Sequence, residues 1–311
     1  MIPTLLTVLP AAWDSLWQTS LADGRLRLIK HGTAAYAPDE IDYVLSFRPP
    51  PGLLASLPGL KAVFSMGAGI DGFLHGGDYP VQVPLYRFCD PTLTVEMAQY
   101  VLMYALMHHR RVAHFAEGQK LADWRQAIMP RQTQQTRIGV MGLGEIGGFV
   151  AQRFVELGFR VAGWSRTRKA LSGITSFAGA GELDAFFAAS DITICLLPLT
   201  DATRGILNAA AFAAMPRGGY VINVARGAHL VPEDLIAALD SGHLAGAVLD
   251  VFGTEPLPKE NPLWHHPQII VTPHIASIPQ PAVAVDYVWA GIEAVEQGRI
   301  PDGAVDITRQ Y

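Results

Sequence analysis

The chain has few cysteines and no excess of positive charge, and each shortage excludes a class of protein. Its 311 residues include only Cys89 and Cys195, too few for a disulfide framework or a zinc ribbon. Lys and Arg number 23 against 28 Asp and Glu, and the net charge of −5 excludes a generally basic nucleic-acid binder. We therefore expect a reducing, cytoplasmic compartment, no metal site and no nucleic-acid partner.

The sequence also lacks the pattern of an export signal or of a membrane span. The first residues, MIPTLLTVLPAAW, have no basic segment and no A-x-A cleavage site. The longest stretch without a charged side chain lies between Glu260 and Asp286, and its five prolines and three histidines exclude an ordinary membrane helix. With 50% hydrophobic and 16% charged residues, the composition is that of a folded chain of roughly two domains.

Short apolar runs between loops and helical stretches indicate α/β structure in the first hundred residues. Strands are predicted over 4–9, 43–47 and 61–66, and helices over 11–21 and 51–57. Asp90-Pro91 then interrupts the chain, and one long helix is predicted over 92–120, with Thr94 capping its first turn.

A second and clearer series of alternating strands and helices starts at Arg137. Strands are predicted over 137–142, 160–165, 193–198, 220–225, 246–251 and 269–273, and helices over 145–157, 232–239 and 282–297. The predicted fold is two doubly wound, parallel-sheet, Rossmann-like α/β domains with a cleft between them. A discontinuous substrate domain comprises 1–93 and 282–311, and a dinucleotide-binding domain comprises 94–281.

A G-x-G-x-x-G sequence directly follows the strand that begins at Arg137 and opens a helix. Gly142, Gly144 and Gly147 suit a tight turn, close approach of the backbone to a diphosphate, and close helix–strand packing. Backbone N–H groups in the first helical turn, which includes Glu145 and Ile146, would bind that diphosphate. The motif alone is weak evidence, but strand, helix and second strand follow in the right order, so we predict dinucleotide binding.

The end of the second strand of this series indicates which dinucleotide is bound. NAD sites usually have an acidic residue there, which binds the ribose 2′-hydroxyl. This chain has Ser165, Arg166, Thr167 and Arg168 instead, and guanidinium groups bind a 2′-phosphate bidentately. NADPH is therefore favoured over NADH, and a solvated basic turn is the alternative interpretation.

Three polar residues follow later strands of the same domain, at the edge where ligands bind in an open parallel sheet. These are Arg226, Glu255 and His274. Reduction of a 2-oxo acid needs a proton donor, which His274 suits, and Glu255 beside it would favour the imidazolium and fix its tautomer. Arg226 would polarise the carbonyl group and bind the adjacent carboxylate. Asp250 would orient the nicotinamide or cap a loop.

With these residues in place, the chain resembles the D-isomer-specific 2-hydroxyacid dehydrogenases. The runs that carry the resemblance are VMGLGEIGGFVA, LLPLTDATRGILN, YVINVARGAHLVPEDLIAALDSGHLAGAVLDVFGTEPLP, VTPHIAS and SMGAGID. Within the family it is most similar to the glyoxylate/hydroxypyruvate reductase A type, through WSRTRK, GAGID and the PLWHHP–TPHIAS segment. This resemblance implies an NAD(P)-dependent enzyme that reduces small 2-oxo acids by hydride transfer.

The resemblance also assigns further residues of the site. It places Leu197, Pro198, Thr203, Val224, Ala225 and Asp250 at the cofactor, and a substrate-binding loop at Met66, Gly67, Ala68 and Gly69. Backbone N–H groups at such a glycine turn form an anion-binding nest. Phe47 would form an apolar wall, and Arg48 would bind a second anionic group or face solvent. The resemblance further implies a homodimer, in which Trp124 reaches the partner's active site or packs the interface.

Other functions remain open at this point. Formate dehydrogenase would need glutamine in place of Glu255, and phosphoglycerate dehydrogenase would need a regulatory domain after Tyr311. A D-lactate-type dehydrogenase of larger 2-oxo acids fits a different pocket. A dinucleotide-sensing interaction protein of the same fold is the alternative from another class.

Overall fold

The computed structural model describes residues 2–9, 24–33, 35–74, 77–126 and 131–307. The chain divides into two compact units, residues 1–91 with 279–311, and residues 92–278. The division differs from the boundaries predicted at 93 and 281 by two and three residues. The helix predicted over 11–21 lies outside the described residues.

The first unit is built on a five-stranded parallel sheet with the strand order β2-β1-β3-β4-β5. Its strands are β1 (Thr4–Val8), β2 (Arg27–Lys30), β3 (Tyr43–Ser46), β4 (Ala62–Ser65) and β5 (Leu85–Tyr86). Its α-helices are Asp71–Leu74 and Pro281–Glu296, and its 3₁₀ turns are Pro38–Glu40 and Leu54–Ser56. Strands β3 and β4 are buried along their whole length, as expected for continuous apolar runs in a parallel sheet.

An ion-pair cluster joins the last helix to the N-terminal sheet of this unit. Glu296 accepts hydrogen bonds from the Tyr43 hydroxyl at 2.6 Å and from Lys61 Nζ at 2.7 Å. Lys61 Nζ also lies 3.1 Å from Asp42 Oδ1. These contacts explain why a segment distant in sequence belongs to the first unit.

The second unit is built on a seven-stranded parallel sheet with the order β12-β11-β10-β9-β6-β7-β8. Its strands are β6 (Arg137–Met141), β7 (Arg160–Ser165), β8 (Ile174–Ala178), β9 (Ile192–Cys195), β10 (Gly219–Asn223), β11 (Leu244–Leu249) and β12 (Ile269–Val271). Its α-helices are Pro91–His109, Val112–Lys120, Glu145–Glu156, Leu183–Ala188, Ala209–Ala214 and Pro232–Asp240. Its 3₁₀ turns are Thr133–Gln135, Ala180–Glu182, Gly227–His229 and Pro262–Trp264.

Helices cover both faces of this second sheet. Alternate strand residues point to opposite faces, and Val221 belongs to one hydrophobic cluster whereas Ile222 belongs to another. Phe212 and Leu235 pack in the first cluster, and Phe154 packs in the second, each from a helix. The chain runs from β6 to β8 on one side and returns to β9 on the other side of β6, so the predicted doubly wound α/β fold is confirmed.

Three local predictions are wrong. The helix predicted over 92–120 is two helices, because Arg111 adopts a left-handed conformation with φ of 57° between them. Thr94 lies inside the first of these helices, which begins at Pro91, and does not cap it. The helix predicted over 51–57 is only a 3₁₀ turn, since Gly52 at φ of 77° interrupts the helical backbone.

Among the described residues, no helix combines the length and apolar character that a membrane span requires.

Candidate functional site

The glycine loop follows β6 at the point where the strand order of the second sheet reverses, which is where open α/β sheets bind ligands. Gly142 has φ of 95°, and a Cβ atom there would lie 2.7 Å from the carbonyl oxygen of Leu196 at the end of β9. A Cβ atom on Gly147 would lie 1.7 Å from the carbonyl oxygen of Gly142. The packing of the chain itself therefore requires glycine at both positions.

Gly144 differs from these two glycines. A Cβ atom on Gly144 would meet no atom within 4 Å, so the packing of the chain does not require glycine there. The residue precedes the helix Glu145–Glu156, whose first backbone N–H groups point out of the helix end, and no side chain caps it. The open space beside these N–H groups fits a dinucleotide diphosphate. Glu145 is exposed, and Ile146 is half-buried.

The basic turn after β7 is partly tied to the neighbouring strand. Ser165 donates its hydroxyl hydrogen bond to the Thr167 carbonyl oxygen at 2.8 Å. The Arg168 guanidinium contacts the Ser176 carbonyl oxygen and pairs with Glu182. Arg166 is exposed. The turn thus presents positive charge to solvent, but a carboxylate already faces one of its two arginines.

His274 and Glu255 lie together in the second unit. His274 Nδ1 lies 2.8 Å from Glu255 Oε2, and Glu255 Oε1 accepts a hydrogen bond from the Phe252 N–H at 2.8 Å. Burial raises the pKa of Glu255, but the hydrogen bonds from His274 and Phe252 and the positive charges of His274 and Arg226 outweigh it, and the pKa lies below its ordinary value of 4.5. Glu255 is therefore a carboxylate near neutral pH. Nδ1 donates to it, which leaves Nε2 as the ring nitrogen that can exchange a proton with a ligand.

Arg226 follows β10 on a turn that the protein holds tightly. Asn223 Nδ2 donates to the Arg226 carbonyl oxygen at 3.0 Å, and the Arg226 Nη1 donates to the Ala225 carbonyl oxygen at 2.6 Å. The next residue, Gly227, packs so closely against the backbone of Phe252 that a Cβ atom would lie 1.9 Å from its carbonyl carbon. This close approach joins the arginine turn to the segment that carries Glu255.

Asp250 is a fully buried carboxylate beside the catalytic candidate His274. Its oxygens accept hydrogen bonds from the Thr272 hydroxyl at 2.6 Å, the Ile275 N–H at 2.9 Å and the Ala276 N–H at 2.8 Å. The His274 N–H donates to the Asp250 carbonyl oxygen at 2.8 Å, and His274 itself has φ of 57°. Asp250 thus holds the left-handed loop that presents the imidazole, and its contact with a nicotinamide stays a prediction.

The remaining cofactor candidates line the ends of β9 and β10. Thr203 closes the loop after β9, since its hydroxyl donates to the Pro198 carbonyl oxygen at 2.8 Å and accepts from the Thr200 N–H at 2.9 Å. Leu197, Val224 and Ala225 are buried.

The predicted substrate loop follows β4 in the first unit. The Ser65 hydroxyl lies 3.0 Å from the Gly67 carbonyl oxygen and 3.3 Å from that of Gly69, so the loop carbonyls turn inward. The Phe47 ring lies 3.7 Å from the position of a Cβ atom on Gly67. Met66 is buried, and the role of this loop as an anion-binding nest stays a prediction.

Two predicted residues lie at exposed positions. Arg48 lines a cavity of about 150 Å³ within the first unit, together with Leu54, Phe73 and Tyr79. Trp124 is 88% exposed, and its indole N–H donates to Gln126 Oε1 at 3.1 Å. The substrate contacts of Arg48 and Trp124 stay predictions.

Residues that hold the candidate site were missed by the sequence analysis. Asn223, His229 and Thr272 are polar residues whose hydrogen bonds fix the turns that carry Arg226 and His274. The available signal was a polar side chain inside or beside an apolar strand, as at Asn223 in YVINVA.

Comparison with known proteins gives consistent matches. A family model described as D-isomer specific 2-hydroxyacid dehydrogenase, NAD binding domain, matches residues 102–276. The chain is 42% identical over 304 residues to the glyoxylate/hydroxypyruvate reductase A of Yersinia enterocolitica, a match that covers 96% of each chain.

Solved structures resemble the chain over its full length. One is a D-isomer specific 2-hydroxyacid dehydrogenase from Xanthobacter autotrophicus Py2 in complex with NADPH and MES, with a TM-score of 0.90, 39% identity and 100% of both chains covered. Another is the NADPH-dependent glyoxylate/hydroxypyruvate reductase from Sinorhizobium meliloti in complex with NADP and sulfate. Its TM-score is 0.91 at 34% identity, and the match covers 99% of this chain and 100% of that chain.

Proposed function

The chain belongs to the D-isomer specific 2-hydroxyacid dehydrogenase family, and from that premise we propose that it is an NADPH-dependent reductase of glyoxylate and hydroxypyruvate. The relative from Yersinia enterocolitica and the structure from Sinorhizobium meliloti carry that function in their names. The observation that carries the proposal is the His274–Glu255 pair, which lies in the same unit as the glycine loop.

The proton for the carbonyl oxygen comes from His274 Nε2. Glu255 accepts the Nδ1 hydrogen bond and faces the positive charge of the imidazolium, so the ring stays oriented while Nε2 gives its proton to the substrate. When bound, the reduced nicotinamide supplies the hydride that the carbonyl carbon receives. After the reaction, the neutral imidazole regains a proton from solvent, to which 46% of its side chain is exposed.

Arg226 binds and polarises the substrate. Its guanidinium is planar and always charged, so it matches a carboxylate bidentately and attracts the negative charge that develops on the carbonyl oxygen. The hydrogen bond from Asn223 and the close packing at Gly227 hold the arginine turn in place. A rigid anchor of this kind lowers the entropy cost of orienting a small substrate.

NADPH would be held by the glycine loop and the basic turn. The N–H groups after Gly144 bind the diphosphate, and Arg166 and Arg168 bind the 2′-phosphate. Ala substitution of both arginines should raise the KM for NADPH far more than the KM for NADH. Equal effects on both cofactors would remove the argument for NADPH.

A substrate panel with both cofactors tests the function. Purified protein is mixed with NADPH or NADH and with glyoxylate, hydroxypyruvate, pyruvate or phenylpyruvate, and loss of the reduced-nicotinamide absorbance is followed. We expect the highest kcat/KM with NADPH as the cofactor and with glyoxylate or hydroxypyruvate as the oxo acid. If the reduced cofactor is consumed only with pyruvate or phenylpyruvate, a lactate-type dehydrogenase is supported. If it is consumed with none of the four oxo acids, the proposed reductase activity is contradicted.

The same proposal includes a cytoplasmic homodimer. Exposed apolar side chains follow one another along the helix Val112–Lys120 and the arm after it, namely Val112, Phe115, Leu121 and Trp124. Exposed apolar side chains that recur along one short segment are typical of a protein interface. Light scattering should give twice the chain mass of 33.6 kDa, and Trp124→Asp with Phe115→Asp should give the monomer. A monomeric wild type would contradict the dimer.

A further inference from the structure

His229 is a fully buried histidine to which the proposed reaction assigns no task. It ends the 3₁₀ turn Gly227–His229, three residues after Arg226, in the segment that follows β10. Burial of an imidazole is costly unless its two ring nitrogens have hydrogen-bond partners. The partners of this ring are therefore informative.

Both ring nitrogens face backbone groups. Nδ1 lies 3.2 Å from the Arg226 nitrogen, whose N–H donates to it, and Nε2 lies 3.3 Å from the Pro198 carbonyl oxygen. Nδ1 also lies 3.2 Å from the Arg226 carbonyl oxygen, but Asn223 Nδ2 already donates to that oxygen. A carbonyl oxygen only accepts, so we assign the proton of the neutral ring to Nε2, which faces Pro198. This single tautomer satisfies the Arg226 N–H, the Pro198 oxygen and both ring nitrogens. The imidazole is thus a two-ended link between segments that follow two different strands.

Each end of the link belongs to a functional segment. Pro198 opens the loop after β9 that Thr203 closes, and Arg226 opens the turn after β10. The backbone of His229 adds a further connection, since its carbonyl oxygen accepts from the Leu207 N–H at 2.9 Å. The backbone bonds hold the later part of this loop against the turn, and the His229 side chain is the link between Pro198 and Arg226 themselves.

We propose that His229 is a positioning residue that fixes Arg226 relative to the Pro198 loop. The inference rests on the proposed function, in which Arg226 binds the carboxylate of the oxo acid and the Pro198 loop contacts the cofactor. Loss of the Nδ1 bond frees the Arg226 turn and weakens oxo-acid binding. Loss of the Nε2 bond frees the Pro198 loop and weakens NADPH binding.

Two conservative variants separate the two bonds. In His229→Asn, the side-chain oxygen can accept from the Arg226 N–H, but the side chain is too short to reach the Pro198 oxygen. In His229→Gln, the longer amide can donate to Pro198, but no acceptor faces Arg226. We expect the Gln variant to raise the KM for glyoxylate about tenfold and to leave the Kd of NADPH within about twofold. We expect the Asn variant to raise the Kd of NADPH about tenfold and to leave the KM for glyoxylate within about twofold.

The control is a half-buried histidine whose ring also faces backbone carbonyl oxygens but which has no hydrogen bond to the site. His243 Nε2 lies 2.9 Å from the Phe212 carbonyl oxygen and 3.1 Å from that of Met215. His243→Gln should lower the thermal midpoint by an amount similar to that of His229→Gln and leave both constants unchanged. The Kd of NADPH is measured by fluorescence titration in the absence of oxo acid, so it does not depend on turnover.

The outcomes separate the inference from the proposed function. If the wild-type protein does not consume NADPH with any of the oxo acids tested, the proposed function is overturned. If the wild type is active but each His229 variant changes the glyoxylate KM and the NADPH Kd by the same factor, or changes neither, the positioning role is overturned. The role is supported if the Gln variant changes mainly the glyoxylate KM, the Asn variant changes mainly the NADPH Kd, and the His243 control changes neither.

Discussion

Replacement of Asp250 by Asn tests whether a buried carboxylate holds the loop that presents His274. Asp250 has no exposed surface, and it accepts hydrogen bonds from Thr272, Ile275 and Ala276. The last two donors are backbone N–H groups directly after His274, whose φ of 57° is unusual for a residue other than glycine. The substitution keeps the shape of the side chain and changes only its charge and one acceptor.

The magnitude follows from these contacts. The Asn amide group would face the Ala276 N–H, and a buried donor without an acceptor costs about 1–3 kcal/mol. The two remaining hydrogen bonds lose the charge that strengthens them. We therefore expect the free energy of unfolding to fall by about 2–4 kcal/mol. The left-handed backbone at His274 costs about 1–3 kcal/mol to maintain, so its partial release should lower kcat about tenfold.

Urea unfolding and steady-state kinetics measure the two effects. The matched control is Asp240→Asn, because Asp240 pairs with His266 on the surface and 69% of its side chain is exposed. The control should change stability by less than about 0.5 kcal/mol. An unchanged urea midpoint and an unchanged kcat in the Asp250 variant would refute the loop-anchoring role. A raised KM for NADPH alone would instead support direct contact between Asp250 and the nicotinamide.

Three further predictions concern stability, cofactor choice and packing. Burial, together with the nearby positive charges, lowers the pKa of His108 from 6.5 to about 4, so the folded chain keeps it neutral while the unfolded chain takes up a proton as the pH falls below 6.5. The contribution of the neutral ring to the free energy of unfolding is complete above pH 6.5 and is lost as the pH falls toward 4. Between about pH 7 and about pH 4.5, the free energy of unfolding in urea should therefore fall by about 2 kcal/mol less for His108→Phe than for the wild type. Equal losses would contradict the buried neutral state. Glu182→Gln removes the carboxylate that pairs with Arg168 and should lower the KM for NADPH about threefold without changing the KM for NADH, whereas a raised KM for NADPH would show that the pair orients the arginine. Gly227→Ala puts a methyl group 1.9 Å from the Phe252 carbonyl carbon and should abolish turnover in a chain that still binds NADPH; wild-type turnover would show that the arginine turn tolerates separation.

The sequence predicted the central strands and missed strands at the sheet edges. Strands such as Tyr43–Ser46 and Gly219–Asn223 are buried on both faces and read as continuous apolar runs. The missed strands, Arg27–Lys30, Leu85–Tyr86 and Ile174–Ala178, are all edge strands of their sheets. An edge strand is short or partly exposed, so its polar residues conceal the pattern.

Backbone conformation set the second limit of prediction. The apolar spacing of Val95, Ala98, Val101, Leu102, Ala105 and Leu106 predicts a helix but not the residue at which it ends. The left-handed residue that divides the segment into two helices is Arg111. Side-chain periodicity reports which face is buried, but it does not report a single residue with positive φ. The interruption by Gly52 was the easier case, because glycine adopts positive φ at low cost.

In the candidate site, the reacting residues could be predicted from the sequence, but the residues that hold them in place could not. Polar residues after parallel strands could be predicted to lie at one edge of the sheet, and the structure brings His274 and Glu255 to 2.8 Å. The residues that hold them could not be predicted, because Asn223 and His229 bind backbone groups rather than other side chains. Such contacts depend on the path of the chain and leave no pattern of paired residue types.

The proton-donor role of His274 is tested most directly by turnover of His274→Gln mixed with saturating NADPH and glyoxylate. Gln is close to the ring in size but cannot take and give a proton at the position of Nε2. We predict that kcat falls about a hundredfold to ten-thousandfold while the Kd of NADPH stays within about twofold of wild type. A kcat within about threefold of wild type would contradict proton donation by His274.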